Sequence, residues 1–369
     1  MWRDTIRELV DKELAPKAEE VDKRGEFPWD NLEILSKHQL LGTDVPEEYG
    51  GAGSDTLAHV IALEEVARVC PSTSVIMTTQ ALALCPFLLA GTEGHKRRCV
   101  IPLAQGKVLG SFGLTEQGAG SDAAAISTTA VLDGNEYVLN GTKCFITNAG
   151  ISEIYTVMAM TDKAKRTRGI SAFLVEKGTE GFSFGKEEDK MGMRGSVTRE
   201  LIFEDCRVPK ENLIGEEGEG FILAMKCFDR TRPGVGAQGV GIAQGALTEA
   251  INYAKGRVQF GQPISNLQGI QFMLVDMATQ VEAARALVWK AASLIDQGDR
   301  DVTKFSAMAK MFATDVAMKV TVDAVQIFGG YGYMRDYPVE RYMRDAKITQ
   351  IWEGTNQIQK LVIARQILR

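Results

Sequence analysis

At Ser111 the spacing of apolar residues changes period, and near Gly215 it changes back. Before Ser111, Trp2, Ile6, Leu9, Val10 and Leu14 recur at helical intervals, as do Leu32, Leu35 and Leu40. A turn-rich loop at 46–51 follows, and helical spacing resumes over Thr56 to Val69. After Ser111 come short alternating runs: Thr129 to Leu132, Tyr137 to Leu139, Cys144 to Thr147, Ile154 to Met160, Ile170 to Val175 and Glu200 to Phe203. Asp133-Gly134 and Asn140-Gly141 supply the positive φ angles of tight hairpin turns, which predicts an antiparallel meander. Beyond Gly215, Phe272, Val275, Met277, Val281 and Val288 mark one helical face, and Met308, Met311, Phe312 and Val316 mark the next. The expected architecture is α+β and multidomain. It has an N-terminal all-α domain at 1–110, a middle antiparallel β domain at 111–214 and a C-terminal four-helix bundle at 215–369.

Several function classes are excluded early. Lys and Arg number 42 against 48 Asp and Glu, with no block of like charge to track a phosphate backbone, so nucleic acid is not an expected partner. The six cysteines contain no C-x-x-C pair and the three histidines lie far apart, so neither zinc nor a disulfide framework is expected. A helical bundle could hold a carboxylate-bridged metal, but no Glu-x-x-His pair occurs and no metal is expected. The start moves directly into an amphipathic helix, so the expectation is a cytoplasmic protein with no leader. Val69 to Thr92 carries no Asp, Glu, Lys, Arg or His over a length that could span a bilayer. Pro71, Pro86, Gln80 and several hydroxyls interrupt it, and a buried helix pair is expected instead of a membrane segment. If that run lines a pocket, the ligand's buried end is apolar and uncharged.

Two glycine patterns invite a nucleotide reading. The loop from Phe112 to Asp122 opens a β region where a dinucleotide fingerprint must open a helix. The formal G-x-G-x-x-G at 234–239 follows helix formers and precedes more small residues, so it reads as a closely packed helix. Near the C-terminus, Ile351-Trp352-Glu353-Gly354-Thr355-Asn356 places a lone carboxylate in a junction, with Asn356 as expected N-cap of the next helix and Gln359 three residues on. Beside Ile351 and Trp352 the Glu353 carboxylate would be partly desolvated, which lifts its pKa toward that of a general base. The same residues also permit a hinge glutamate that faces water.

Together with Tyr342-Met343-Arg344-Asp345-Ala346-Lys347, the Glu353 stretch resembles the C-terminal signature of the acyl-CoA dehydrogenases, and the similarity runs from Arg3 to the last residue. The resemblance implies FAD as cofactor, an acyl-CoA substrate, electron-transferring flavoprotein as acceptor, a role in fatty-acid β-oxidation and a homotetramer. It makes Glu353 the catalytic base that removes the α-proton. Phe112, Leu114, Thr115, Gly120 and Ser121 resemble the flavin-ring loop, Ser121 also lying near the thioester. Phe145, Ile146 and Thr147 resemble the segment against the isoalloxazine. Arg257, Phe260, Gln268, Gln326, Ile327, Gly329 and Gly330 resemble the residues that reach a neighbouring subunit's flavin. Thr355 and Gln357 close the site, and Asp229, Arg232 and Gly354 resemble substrate-binding positions. Departures from the family pattern are Trp352 where tyrosine is common, Phe145 where tryptophan is common, and Gln117 where proline is common. Some members place the base on a facing helix. The matching residue here is Thr231, which cannot serve, so Glu353 is favoured over Asp229 and Glu116. Alternatives are an oxidase on the same fold and a non-catalytic flavin-binding protein.

Overall fold

The computed structural model describes residues 1–368. The N-terminal region holds helices α1 (Trp2–Glu13), α2 (Ala18–Arg24), α3 (Trp29–Lys37), α4 (Thr56–Val69) and α5 (Pro71–Ala90). Asp55 caps α4 by accepting from the Ala58 N–H at 2.7 Å. The uncharged run forms a single helix, α5, and not the expected pair. It is long and apolar enough to cross a membrane, yet most of it is buried inside the protein. Its Gln80 shows why a polar residue belongs there. The buried side chain donates to the Leu103 and Val108 carbonyls, both at 2.8 Å, and accepts from the Gly110 N–H at 3.1 Å, tying α5 to the first strand.

The middle region is one mixed eight-stranded sheet of β1 (Gly110–Gly113), β2 (Thr129–Asp133), β3 (Glu136–Thr147), β4 (Ile154–Met160), β5 (Ile170–Glu176), β6 (Phe182–Phe184), β7 (Thr198–Pro209) and β8 (Leu213–Ile214). The antiparallel expectation needs correction, because β1 and β2 both pair with β4 in parallel. Asp133-Gly134 does make the β2–β3 hairpin. Asn140-Gly141 does not turn the chain; it lies inside β3 at a register shift against β7, where the Asn140 amide oxygen accepts from the Asp205 N–H at 2.8 Å. A second shift falls between Lys143 and Ile146. There Phe145 takes φ 58° and swings its ring outward, 67% exposed, while Ile146 stays in the core.

The C-terminal region contains α6 (Gly220–Gly256), α7 (Gln268–Asp296), α8 (Val302–Phe328), α9 (Val339–Thr349) and α10 (Asn356–Ile367). The glycine-rich stretch of α6 is helix, as expected, and close packing explains its composition. A Cβ on Gly241 would lie 2.3 Å from the Glu64 carbonyl, and one on Gly245 would lie 2.3 Å from that of Arg68, so α6 passes backbone to backbone against α4. The α7 and α8 faces differ from expectation. Phe272 and Val275 are exposed and Phe312 sits at the surface, while the buried side of α8 is small: Ala307, Ala309, Ala313 and Ala317 fit against the narrow α6.

Candidate active site

Glu353 sits between α9 and α10 because neither helix can absorb it. At the end of α9 the Ile348 carbonyl accepts from both the Ile351 and Trp352 N–H groups. Glu353 and Gly354 then take φ 51° and 92°, a left-handed pair that only the second residue adopts freely. Thr355, not Asn356, is the N-cap of α10, accepting from the Ile358 N–H at 3.3 Å. Asn356 is instead buried inside the first turn, its amide reaching the Met311 carbonyl, the Thr314 hydroxyl and Asp315 on α8. Gln359 closes no capping box; its amide donates to the carbonyls of Glu353 at 3.4 Å and Gly354 at 2.9 Å.

The partner helix is shaped by Pro233, which lies within α6 and lacks the N–H that the Asp229 carbonyl would otherwise accept. Ser306 of α8 supplies the replacement, its hydroxyl donating to that carbonyl at 2.7 Å. The turn of helix so anchored carries Asp229, Thr231 and Arg232. Thr231 Oγ1 donates to Glu353 Oε2 at 2.8 Å, so the residue that cannot be a base is instead a hydrogen-bond partner of the Glu353 carboxylate. Arg232 Nε donates to the Glu353 carbonyl at 3.3 Å while its Nη1 pairs with Asp229 Oδ1 at 3.0 Å, and Thr303 holds the other Asp229 oxygen at 2.6 Å. Burial pushes the Glu353 carboxyl above its ordinary range, opposed by the Thr231 hydrogen bond and then by the charges of Arg232 and Lys310. Of its two oxygens only Oε2 has a hydrogen-bond donor among the described residues. Asp229 is also raised by burial, but Thr303 and Arg232 occupy both its oxygens, whereas Glu353 keeps one oxygen without a donor among the described residues.

The β-sheet loop reaches this cluster through Phe228. The Phe112 ring packs edge-on at 5.7 Å from it, and the Arg232 guanidinium lies 5.6 Å from its centroid. Thr115 is fixed through its carbonyl, which accepts from the Cys144 N–H at 2.9 Å, and Thr147 through its carbonyl, which accepts from Ser111 at 2.8 Å. Gly120 and Ser121 are exposed, and a Cβ on Gly120 would meet no atom within 4 Å. Leu114 and Ile146 have their side chains in the core, so only their main chain can face a ligand. Gln357 is exposed on the first turn of α10.

The remaining expected site residues lie elsewhere. Arg257, Phe260, Ile327, Gly329 and Gly330 line a groove of about 590 Å³, with Gln268 and Gln326 exposed outside its lining. Ile327 is on α8 with Lys310, and roughly 25 Å of helix separates them. These residues do not join the Glu353 cluster within one chain. Sequence reasoning missed Lys310, Ser306 and Phe228, and took Gln359 only for a capping residue. Lys310 alone carried a signal, as the single charge within Ser306-Ala307-Met308-Ala309-Lys310-Met311-Phe312-Ala313.

Comparison with known proteins gives this geometry its context. The chain matches the acyl-CoA dehydrogenase N-terminal domain over residues 1–107, the middle domain over 111–206 and the C-terminal domain over 218–368. It is 50% identical to the short-chain specific acyl-CoA dehydrogenase of Clostridium acetobutylicum, covering 100% of this chain and 97% of that protein. Butyryl-CoA dehydrogenase from Megasphaera elsdenii superposes with a TM-score of 0.97 at 47% identity, over 100% of this chain and 97% of that one. A chain from a structural study of the electron transferring flavoprotein of Acidaminococcus fermentans gives a TM-score of 0.98 at 52% identity, with the same coverage. The turn that isolates Glu353, the helix that faces it and the sheet loop beside it thus lie within matches that span the whole described chain, which belongs to the acyl-CoA dehydrogenase family of oxidoreductases acting on CH–CH bonds.

Proposed function

We propose that the protein dehydrogenates short, uncharged acyl-CoA thioesters at the α,β-bond, with Glu353 as the base. The observation that carries this reading is the Glu353 carboxylate, desolvated, with one oxygen free, on a turn facing α6. Deprotonation at the α-carbon requires a polarised thioester carbonyl. The backbone N–H of Glu353 donates to no acceptor among the described residues and is available to that oxygen. Arg232 and Thr231 orient the base from one side, and Gln359 fixes the main chain from the other. FAD, which binds to members of this family, supplies the acceptor for the β-hydrogen when bound. The exposed Phe145 ring, Thr147, and the open loop at Gly120 and Ser121 fit it, since nothing within the chain fills the space a Cβ at Gly120 would enter.

The way α5 meets α6 supports a short acyl group. Gly234 lies against Leu63 and Thr78, with a Cβ there 3.3 Å and 3.8 Å from their methyl carbons, and Gln238 donates to Ser74 at 2.9 Å. Cys85 lies beside Cys227 at the other end. The stretch opposite Thr231 is therefore bounded by Thr78 and Cys85, roughly 10 Å of helix, and it contains the small half-buried Ala81. No Lys, Arg or His lies on α5 to pair with an ω-carboxylate. The short-chain specific enzyme of Clostridium and the butyryl-CoA dehydrogenase of Megasphaera, both similar to this chain, point the same way.

Electrons would leave to an electron-transferring flavoprotein, and the groove at Arg257 and Gly329 would meet the cofactor of a second copy in a homotetramer, a role suited to its exposed Phe260. All six cysteines are unpaired and buried, which suits a cytoplasmic setting. Anaerobic mixing of the FAD-loaded protein with butyryl-, palmitoyl- and glutaryl-CoA tests the reading. Butyryl-CoA should bleach the flavin fastest; comparable rates with palmitoyl- or glutaryl-CoA would overturn the short, uncharged assignment, and rapid reoxidation by air would favour an oxidase.

A further inference from the structure

Lys310 is fully buried in α8, yet it makes no ion pair within 4 Å among the described residues. Its ammonium donates to two neutral acceptors, the Gly354 carbonyl and Asn356 Oδ1, each at 2.9 Å. A buried lysine without a carboxylate against it is uncommon, because the interior penalises its charge. Here one bond goes to the turn that carries Glu353 and the other to the first residue of α10, which follows it. The Gly354 carbonyl also accepts from Gln359, and the Glu353 carbonyl accepts from Arg232 and Gln359, so three helices hold two successive peptide groups. These contacts fix the left-handed φ of Glu353, a conformation that a non-glycine residue keeps only when its surroundings impose it.

We propose that Lys310 is a positioning residue for the base: its ammonium clamps the Gly354 carbonyl and sets a positive charge one residue from the Glu353 carboxylate. This rests on Glu353 being the base. The charged groups that face Lys310 are Glu353 on the turn, Arg232 on α6 and Asp315 on its own helix, while α10 contributes only the neutral Asn356 and Gln359. Burial pulls the Lys310 ammonium down to about 7, opposed by Glu353, assisted by Arg232 and opposed again by Asp315. On the acid side of that value Lys310 is charged, and its charge works with the Thr231 hydrogen bond and the charge of Arg232 against protonation of Glu353. A bare helical packing role would require neither the charge nor the bond to Gly354.

The test compares Lys310→Met, Lys310→Arg and Glu353→Gln in the FAD-loaded enzyme, with kcat and KM for butyryl-CoA measured across pH. Lys310→Met should keep KM within about threefold, lower kcat about tenfold and move the acid limb of kcat/KM to higher pH by about one pH unit. Lys310→Arg should keep the limb at its wild-type position whatever its rate. If Lys310→Met does not hold FAD, Lys310→Gln, whose amide still reaches a carbonyl, takes its place. An unmoved limb in the folded neutral variant, or an equal shift in Lys310→Arg, overturns the proposal. Glu353→Gln tells the two readings apart: an active variant with a normal limb means that Glu353 is not the base, whereas an inactive one beside an unmoved limb in Lys310→Met rejects Lys310 alone.

Discussion

Two desolvated glutamates in this protein have opposite fates. Glu116, in the β1–β2 loop, accepts from the Ser127 N–H at 2.6 Å, the Ser127 hydroxyl at 2.7 Å, the Thr128 N–H at 2.9 Å and the Lys143 ammonium at 2.7 Å. Burial pushes its carboxyl up, but the charge and hydrogen bond of Lys143, with those of Thr128 and Ser127, outweigh it and hold the group at about 2. Glu353 has one hydroxyl on one oxygen and cations further off, and burial prevails. Burial is therefore a poor sign of a base when taken alone. The number of donors decides whether a buried carboxylate is a fixed anchor or an acceptor for a proton. Here the anchor braces the sheet loop that Thr115 belongs to, since Lys143 also donates to the Leu114 carbonyl.

Exchanging either glutamate for glutamine sharpens that difference. The largest effect expected is on turnover: Glu353→Gln should lower the rate of flavin reduction by about 10²- to 10⁴-fold while leaving thermal stability unchanged or slightly higher, read by stopped-flow absorbance and calorimetry. Glu116→Gln should do the reverse, since it leaves the Lys143 ammonium buried without its counter-charge. A loss of about 3–5 kcal/mol in denaturant unfolding is expected, with weakened FAD retention and a much smaller change in intrinsic rate. Equal losses of rate in both variants would erase the distinction.

Acid separates them further. The folded pKa of Glu116 lies below its ordinary 4.5, so its contribution to stability is fully present above about 4.5 and is lost as pH falls toward about 2. Glu353, raised above 4.5, has the opposite sign: its ionisation disfavours the fold, and that penalty disappears as pH falls through its raised value. Stability curves of wild type and Glu116→Gln should therefore converge between pH 4.5 and 2. A smaller effect is expected at Thr231. Thr231→Val removes the one hydrogen bond that lowers Glu353, so the acid limb of kcat/KM should rise by about one pH unit with little change in stability.

The sequence carried the order of layers because period survives tertiary packing: the change at Ser111 and the return near Gly215 both mark real transitions. It carried Glu353 through the family motif more than through its neighbours. What it did not carry depends on partners distant in the chain. Asn140-Gly141 reads as a turn until β7 arrives to pair across it. Asn356 reads as a cap, but its side chain belongs to α8, and the true cap is the preceding Thr355. Lys310 stands out only as a lone charge in an apolar run, because nothing local says that the Glu353 turn lies above it. Phe272 and Val275 show the limit of periodicity, which detects an apolar face but not whether this chain covers it.

The central claim is that Glu353, and no other group, removes the α-proton. Hydrogen exchange at the α-carbon isolates that step. Reduced enzyme, unable to accept the β-hydrogen, is incubated anaerobically with butyryl-CoA in D2O, and deuterium in the recovered thioester is measured by mass spectrometry. Wild type and Glu116→Gln should exchange the α-hydrogen, and Glu353→Gln should stay at the solvent background. Exchange by Glu353→Gln at the wild-type rate would place the base elsewhere and contradict the account.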